Sequence, residues 1–319
     1  MLIYVLTILT FGSIYALLAL GLNLMWGMAG LVNLGILAYY AVGGYVSALL
    51  TVKLGLPVVA GLLLGTVAAA FLGAVTCVAL VKLRDDYLAI ATLGFAQVLA
   101  LIAQNEVWLT NGTDGIGQIP RLGENLNGQI FSIVYLLLCL LIVAIVFAGA
   151  EVLRRSPFGR VLRATRDDPL VAATAGKNVF GFQMKALAVG GGIMGLAGAC
   201  YVHYIGFISP EIFQPQLLIY IFLALILGGR GNNVGAVAGA FFVVIIVEGT
   251  RFIAELAPGL SAVQVGSIRQ LIIGIGFIVV LQNWPRGMFP EPLRAYPAPP
   301  DERPASPAAG HADNFTRSK

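Results

Sequence analysis

Hydrophobic residues run along this chain in long blocks that charge does not interrupt. No Lys, Arg, Asp or Glu occurs from Met1 to Val52, and further uncharged runs cover 54–81, 87–105, 125–150, 186–210, 212–229, 231–247 and 270–285. A helix rises about 1.5 Å per residue, so about 20 apolar residues cross a hydrocarbon layer of about 30 Å. Strands of a membrane barrel would instead alternate over about ten residues. The pattern predicts an all-α, polytopic transmembrane helix bundle of about nine spans, near 2–23, 31–52, 57–81, 87–104, 130–150, 186–208, 212–229, 233–252 and 268–284.

Composition sharpens this picture. Of 319 residues, 59% are hydrophobic and 11% charged, too few ionic groups to coat a water-soluble globule. Met1 is followed directly by Leu2, Ile3 and Tyr4, without the basic stretch of a cleaved signal peptide, so the first span is expected to stay. The basic excess is concentrated in 151–185, where Arg154, Arg155, Arg160, Arg163, Arg166, Lys177 and Lys185 face Glu151, Asp167 and Asp168. That loop is expected on the cytoplasmic side. Counting outward puts Lys82, Arg84, Arg230 and the C-terminus inside and 105–129 outside, an N-out/C-in topology in which Lys53 is the one basic residue close to a span that falls on the wrong side. Residues 1–285 then form one transmembrane domain. The tail 286–319, dense in proline, small residues and charge, is expected to be disordered.

Several chemistries are excluded. The single Gly-Lys pair, Gly176-Lys177, is followed by Asn178 and preceded by Val171 where a phosphate-binding loop needs glycine, so the chain has no P-loop for ATP. His203 and His311 form no metal motif. No acid or base lies near the middle of a proposed span, where ion-coupled pumps keep their relays. Neither a catalytic pair nor a metal or cofactor site is expected. Cys77, Cys139 and Cys200 fall in spans with no paired spacing and read as packing residues. Small residues four apart, as in Gly61/Gly65/Ala69/Gly73, Gly191/Gly195/Ala199 and Gly235/Gly239, line one helix face each and read as packing seams rather than a pore lining. His203, between Tyr201 and Tyr204, reads as an aromatic-belt residue or an external gate. Glu248 and Arg251, three apart on one helical face, are either a pair at the membrane surface or part of that gate.

The most informative stretch is 156–176. Arg160, Arg163 and Arg166 share a helical stripe, and Asp168 before Pro169 is an N-cap followed by a favoured first-turn proline. A second short helix is expected over Leu170–Ala175, stopped by Gly176. Two short helices would thus project from the cytoplasmic face, or the loop would lie on anionic lipid.

At these residues the chain resembles a known family, the permease subunits of branched-chain amino acid ABC importers, and specifically their M-type members. The family's cytoplasmic loop pattern is matched at Ser156, Gly159, Arg160, Arg163, Ala164, Asp168, Ala172 and Gly176. Further resemblances are Asp86–Phe95, Leu109–Ile116, Ile208–Glu211, Leu227–Gly231 and Pro285–Met288. The sequence departs from the family's usual text at Asp85 and Asn111, where Gly is common, and at Arg230. The resemblance implies a multi-pass protein of the bacterial inner membrane that works with a second homologous permease, two cytoplasmic ATPases that bind the ATP, and an external solute-binding protein. It implies that Ser156, Phe158, Gly159, Arg160, Leu162, Arg163, Asp168 and Gly176 form the ATPase-coupling loop, with Arg160, Arg163 and Asp168 as polar contacts and Phe158 and Leu162 as an apolar plug. The cargo would be branched-chain or related hydrophobic amino acids. Related permeases with nearly the same motifs carry urea or short-chain amides, and a facilitator needing no ATPase is the alternative from another class.

Overall fold

The computed structural model describes residues 2–80, 83, 85–123, 127–249, 262–283 and 287–291. Lys82, Arg84, Arg251, Arg286 and the remainder of the tail lie outside the described residues.

The described chain is helical, with one isolated antiparallel bridge, Ile116–Ile208. Helix α1 (Leu2–Leu22) runs on into a π-helical turn, Asn23–Met28. It is followed by α2 (Ile36–Lys53), α3 (Val58–Leu80), α4 (Asp85–Asn105), the short α5 (Val107–Thr110) and α6 (Gly128–Arg155). Two short helices, α7 (Pro157–Asp167) and α8 (Pro169–Thr174), precede α9 (Val179–Ile205), and α10 (Pro215–Gly228), α11 (Asn233–Gly249) and α12 (Ala262–Asn283) complete the order.

Among the described residues, six helices are long and apolar enough to cross a membrane: α1 with its π turn, α2, α3, α4, α6 and α9. The seventh and eighth expected spans are shorter, at 14 residues in α10 and 17 in α11, or about 21 and 26 Å. Proline explains the first of these. An uncharged run bounds a helix only from above, and within 212–229 the helix begins at Pro215, after a 3-10 turn, Pro210–Phe213.

The small-residue seams meet one another. A Cβ on Gly195 would come within 2.2 Å of the Ala69 Cβ, and one on Gly43 within 2.2 Å of the Gly195 carbonyl oxygen. Helices α2, α3 and α9 therefore touch backbone to backbone. In lipid, where burying apolar surface gives no advantage, such contact replaces the hydrophobic effect as the source of association. Gly239 and Gly235 do the same for α11 against Ala224 and Gly228 of α10. Cys77, Cys139 and Cys200 are buried and unpaired with one another by disulfides.

Candidate coupling site and external closure

The stretch 156–176 folds as its local chemistry dictates. Ser156 caps α7, its hydroxyl accepting from the Gly159 amide at 3.3 Å while donating to the Leu153 carbonyl at 2.6 Å. Asp168 caps α8, one carboxylate oxygen accepting from the amides of Leu170 at 2.8 Å and Val171 at 3.0 Å, with Pro169 in the first turn. Gly176 takes φ +74° just beyond α8, where its amide meets the Ala173 carbonyl.

Helix α7 is fixed to the bundle on several sides. Gly159 lets it close on the end of α6, since a Cβ there would lie 2.4 Å from the Leu153 carbonyl oxygen. Phe158 stacks on Phe182 of α9 with ring centroids 5.2 Å apart, and Leu162 is fully buried, at 0% exposure. Arg166 donates to the Gly27 carbonyl of the π turn at 2.5 Å and pairs with Glu291 at 2.9 Å. Arg163 approaches the same carboxylate at 3.7 Å. Burial works against the Arg166 charge, but Glu291 and Asp167 more than offset it and hold its pKa above the ordinary guanidinium value.

Two expectations change here. Leu162, fully buried, is directed into its own bundle rather than outward as part of an apolar plug, while Phe158 is half-buried against Phe182. The exposed apolar residues are Leu170 and Val171 of α8, at 74% and 61%. Of the three arginines, Arg160 is exposed, whereas Arg163 and Arg166 turn toward Glu291.

The C-terminal tail, expected to leave the domain at 286, is held over 287–291. The Met288 and Phe289 amides donate to the Leu227 and Gly228 carbonyls at 2.8 and 2.9 Å, occupying the last acceptors of α10. Gly287, at φ +73°, fits against Gly229 where a Cβ would lie 2.4 Å from its Cα. Two motifs noticed separately, Leu227–Gly231 and Pro285–Met288, are thus joined. Arg230 stands 5.8 Å from the Trp26 ring centre, close enough for a cation–π contact. Asn23 of the π turn donates to Asn233 at 3.0 Å and accepts from the Gly231 amide at 2.7 Å. Asn233 donates in turn to Glu151 at 3.1 Å, and Glu151 pairs with Arg154 and Arg155. The ends of α1, α6, α7 and the α10–α11 turn therefore share one polar network.

At the opposite end, His203 is fully buried rather than belted at an interface. Its Nδ1 lies 2.8 Å from the Pro120 carbonyl and its Nε2 2.8 Å from the Ser47 hydroxyl. A carbonyl only accepts, so Nδ1 carries a proton, and in the neutral ring Nε2 accepts from Ser47. The ring thereby ties α2, α9 and the 115–121 segment together. The Ile116–Ile208 bridge, with N–H···O distances of 2.8 and 3.0 Å, closes the same corner, and the Arg121 guanidinium donates to the Ile205 carbonyl. Asn111, where the resembling family has glycine, sits at φ +64° and donates to the Gly115 carbonyl at 2.9 Å. Asparagine tolerates that conformation better than most residues, which accounts for the exchange. Glu248 is engaged elsewhere, its backbone carbonyl accepting from the Tyr4 hydroxyl at 3.0 Å. His203 and Glu248 thus belong to different attachments, and Arg251 lies outside the described residues.

Reasoning from sequence missed Asn23, Asn233, Glu151 and Glu291 as partners of the loop. The two asparagines did carry a signal, as amides flanking otherwise apolar runs.

A family model described as branched-chain amino acid transport system / permease component matches residues 4–281. The chain belongs to that family of membrane permease components. It is 30% identical over 310 residues, 89% of this chain and 69% of the relative, to the high-affinity branched-chain amino acid transport system permease protein LivM of Escherichia coli (strain K12). It is 26% identical over 89% of this chain and 92% of the relative to the probable branched-chain amino acid transport permease protein LivM of Methanocaldococcus jannaschii. It is 27% identical over 89% of this chain and 93% of the relative to the LivH permease protein of the same Escherichia coli strain. No solved structure gives a significant match. The protein is a multi-pass permease of the inner membrane, and its relatives are transport subunits rather than enzymes.

Proposed function

We propose that this chain is one half of the membrane core of an importer for branched-chain amino acids. A second homologous permease forms the other half, two cytoplasmic ATPases supply the energy, and an external binding protein delivers cargo. Two permeases, LivM and LivH, are both named for the high-affinity system of Escherichia coli, which supports the paired arrangement. The membrane domain crosses nine times with its N-terminus outside. α10 and α11 contribute the two short crossings, and the chain leaves α12 on the cytoplasmic side.

The observation that carries this reading is the contrast within the α7–α8 pair. α7 is bonded to α6, α9, the π turn of α1 and Glu291, while α8 presents Leu170 and Val171 to solvent. A stiff lever with an apolar tip suits docking into an ATPase groove, because force on the tip reaches four elements of the bundle at once. A loop lying on lipid needs no such attachment. Arg160, exposed on α7, and the Asp168 cap that shapes α8 serve the polar part of the contact.

The test is a chain carrying Leu170→Asp and Val171→Asp together. It should reach the membrane in normal amounts, yet recover ATPase subunits poorly and lose uptake by more than about tenfold, the factor that 1.4 kcal/mol represents. Full ATPase recovery with wild-type uptake would remove the coupling assignment. Uptake that persists in cells lacking the ATPases would favour a facilitator.

A further inference from the structure

A polar cavity of about 360 Å³ opens between α1, α2, α9, α10 and α12. Its composition is out of keeping with its surroundings. Where these helices pack on one another they use Gly, Ala, Leu and Ile, but the cavity is lined by the phenols of Tyr15, Tyr40, Tyr201 and Tyr220 and by Glu211, Gln214, Gln216 and Gln270. Ile212 and Leu217 supply an apolar patch, and among the described residues no Lys or Arg lines it.

Its position is equally specific. Glu211 belongs to the 3-10 turn that follows α9, beside the Ile116–Ile208 bridge. Tyr15 lies 13 residues from the Leu2 end of α1, and Tyr40 lies 13 residues from the Lys53 end of α2. In the proposed topology both ends are external, so the cavity reaches from the outer segment to a floor about 20 Å deep along the helix axes. Tyr40 is buried and meets Tyr201 in a tilted ring contact, centroids 5.7 Å apart, closing the inner side.

We infer that this cavity is a transit subsite for a zwitterionic α-amino acid with an uncharged aliphatic side chain. This rests on the reading of the chain as an importer subunit and assigns that subunit a place where cargo pauses. Glu211 meets the ammonium group with a charge-assisted hydrogen bond, and the tyrosine faces add cation–π attraction. The carboxylate takes donors from the glutamine amides and tyrosine hydroxyls, at the start of α10 where the helix dipole is positive. Ile212 and Leu217 accept the side chain. The volume lies at the small end of ligand pockets, about 300–1,000 Å³. Neutral donors hold the cargo loosely, which transit requires because the site must also release it.

The test uses the complete importer in proteoliposomes, with leucine-loaded binding protein as the probe. The wild-type complex must import leucine, and if it does not, the importer reading itself falls and the subsite with it. Given wild-type import, Glu211→Gln should lower the maximal rate by about tenfold, the scale of one charge-assisted contact. The half-saturating concentration of binding protein and the ATPase recovery should not change, and Glu211→Asp should restore most of the rate. Gln270→Cys, in a chain whose Cys77, Cys139 and Cys200 are replaced by Ala, should react with an impermeant thiol reagent from outside, more slowly when leucine is present. A wild-type rate in Glu211→Gln, a loss that appears only as a raised half-saturating concentration, or labelling unaffected by leucine each overturns the subsite.

Discussion

The two ends of the bundle are closed by different chemistry. In the proposed topology the cytoplasmic end is an ionic assembly in which Arg163 and Arg166 of α7, Glu291, and Glu151, Arg154 and Arg155 of α6 hold three elements through charge. The external corner is held by backbone hydrogen bonds of the Ile116–Ile208 bridge and by the His203 ring between Ser47 and Pro120. The paired side chains keep 15–26% exposure, and Arg155 73%, so water and salt still reach them and weaken the pairs, whereas a buried ring with both nitrogens occupied is costly to disturb. The end assigned to energy input is therefore the adjustable one, and the end facing the cargo is set by fixed geometry.

His203→Leu probes this contrast with the largest expected effect. It leaves the Ser47 hydroxyl and the Pro120 carbonyl without a partner, at about 1–3 kcal/mol each. Thermal unfolding in detergent should show a lowered midpoint that added salt does not change. A midpoint at the wild-type value would mean that His203 is no strut.

Gly159→Val comes next. Its side chain meets the carbonyl oxygens of Leu153 and Arg154, which are backbone and cannot step aside, so α7 must lift, at about 1–3 kcal/mol. The membrane domain should persist while ATPase recovery and uptake fall. Retained uptake would show that the seat of α7 on α6 is dispensable. Asp168→Ala removes the cap of α8, at about 0.5–2 kcal/mol. Since α8 is exposed, the loss should appear in ATPase affinity and leave the unfolding midpoint nearly unmoved.

The smallest effect is expected for the Arg166–Glu291 pair. A double-mutant cycle of Arg166→Ala and Glu291→Ala should give a coupling of about 1 kcal/mol or less, shrinking as salt is added. A coupling that salt leaves untouched would place this pair with the buried, fixed contacts and erase the distinction between the ends.

How much of this was legible depended on the range of the interaction. The Asp168-Pro169 cap and the Gly176 stop act within three or four residues and could be read directly. The long spans followed from the spacing of charges, and the seams from small residues four apart. What failed was orientation and distance. Whether Phe158 faces a partner or its own bundle depends on Phe182 of α9, which no pattern within α7 reveals. Glu291 is 125 residues from Arg166, and nothing local marks the pair. The length of the seventh span was misjudged because absence of charge was weighed above Pro215, at which its helix begins. Of the two described residues of the expected gate, His203 is held at the corner of the Ile116–Ile208 bridge, whereas Glu248 sits on α11, a helix that packs against α1 and α10.

That 125-residue separation also sets an order in time. A ribosome adding about 5–20 residues per second delivers Glu291 about 6–25 s after Arg166. The external corner needs nothing beyond Ile208, so its fastening is available well before synthesis ends. The cytoplasmic lever waits for almost the last part of the chain, and a ribosome that stalls before Glu291 leaves a nascent permease sealed outside but with its energy-receiving helix unlatched.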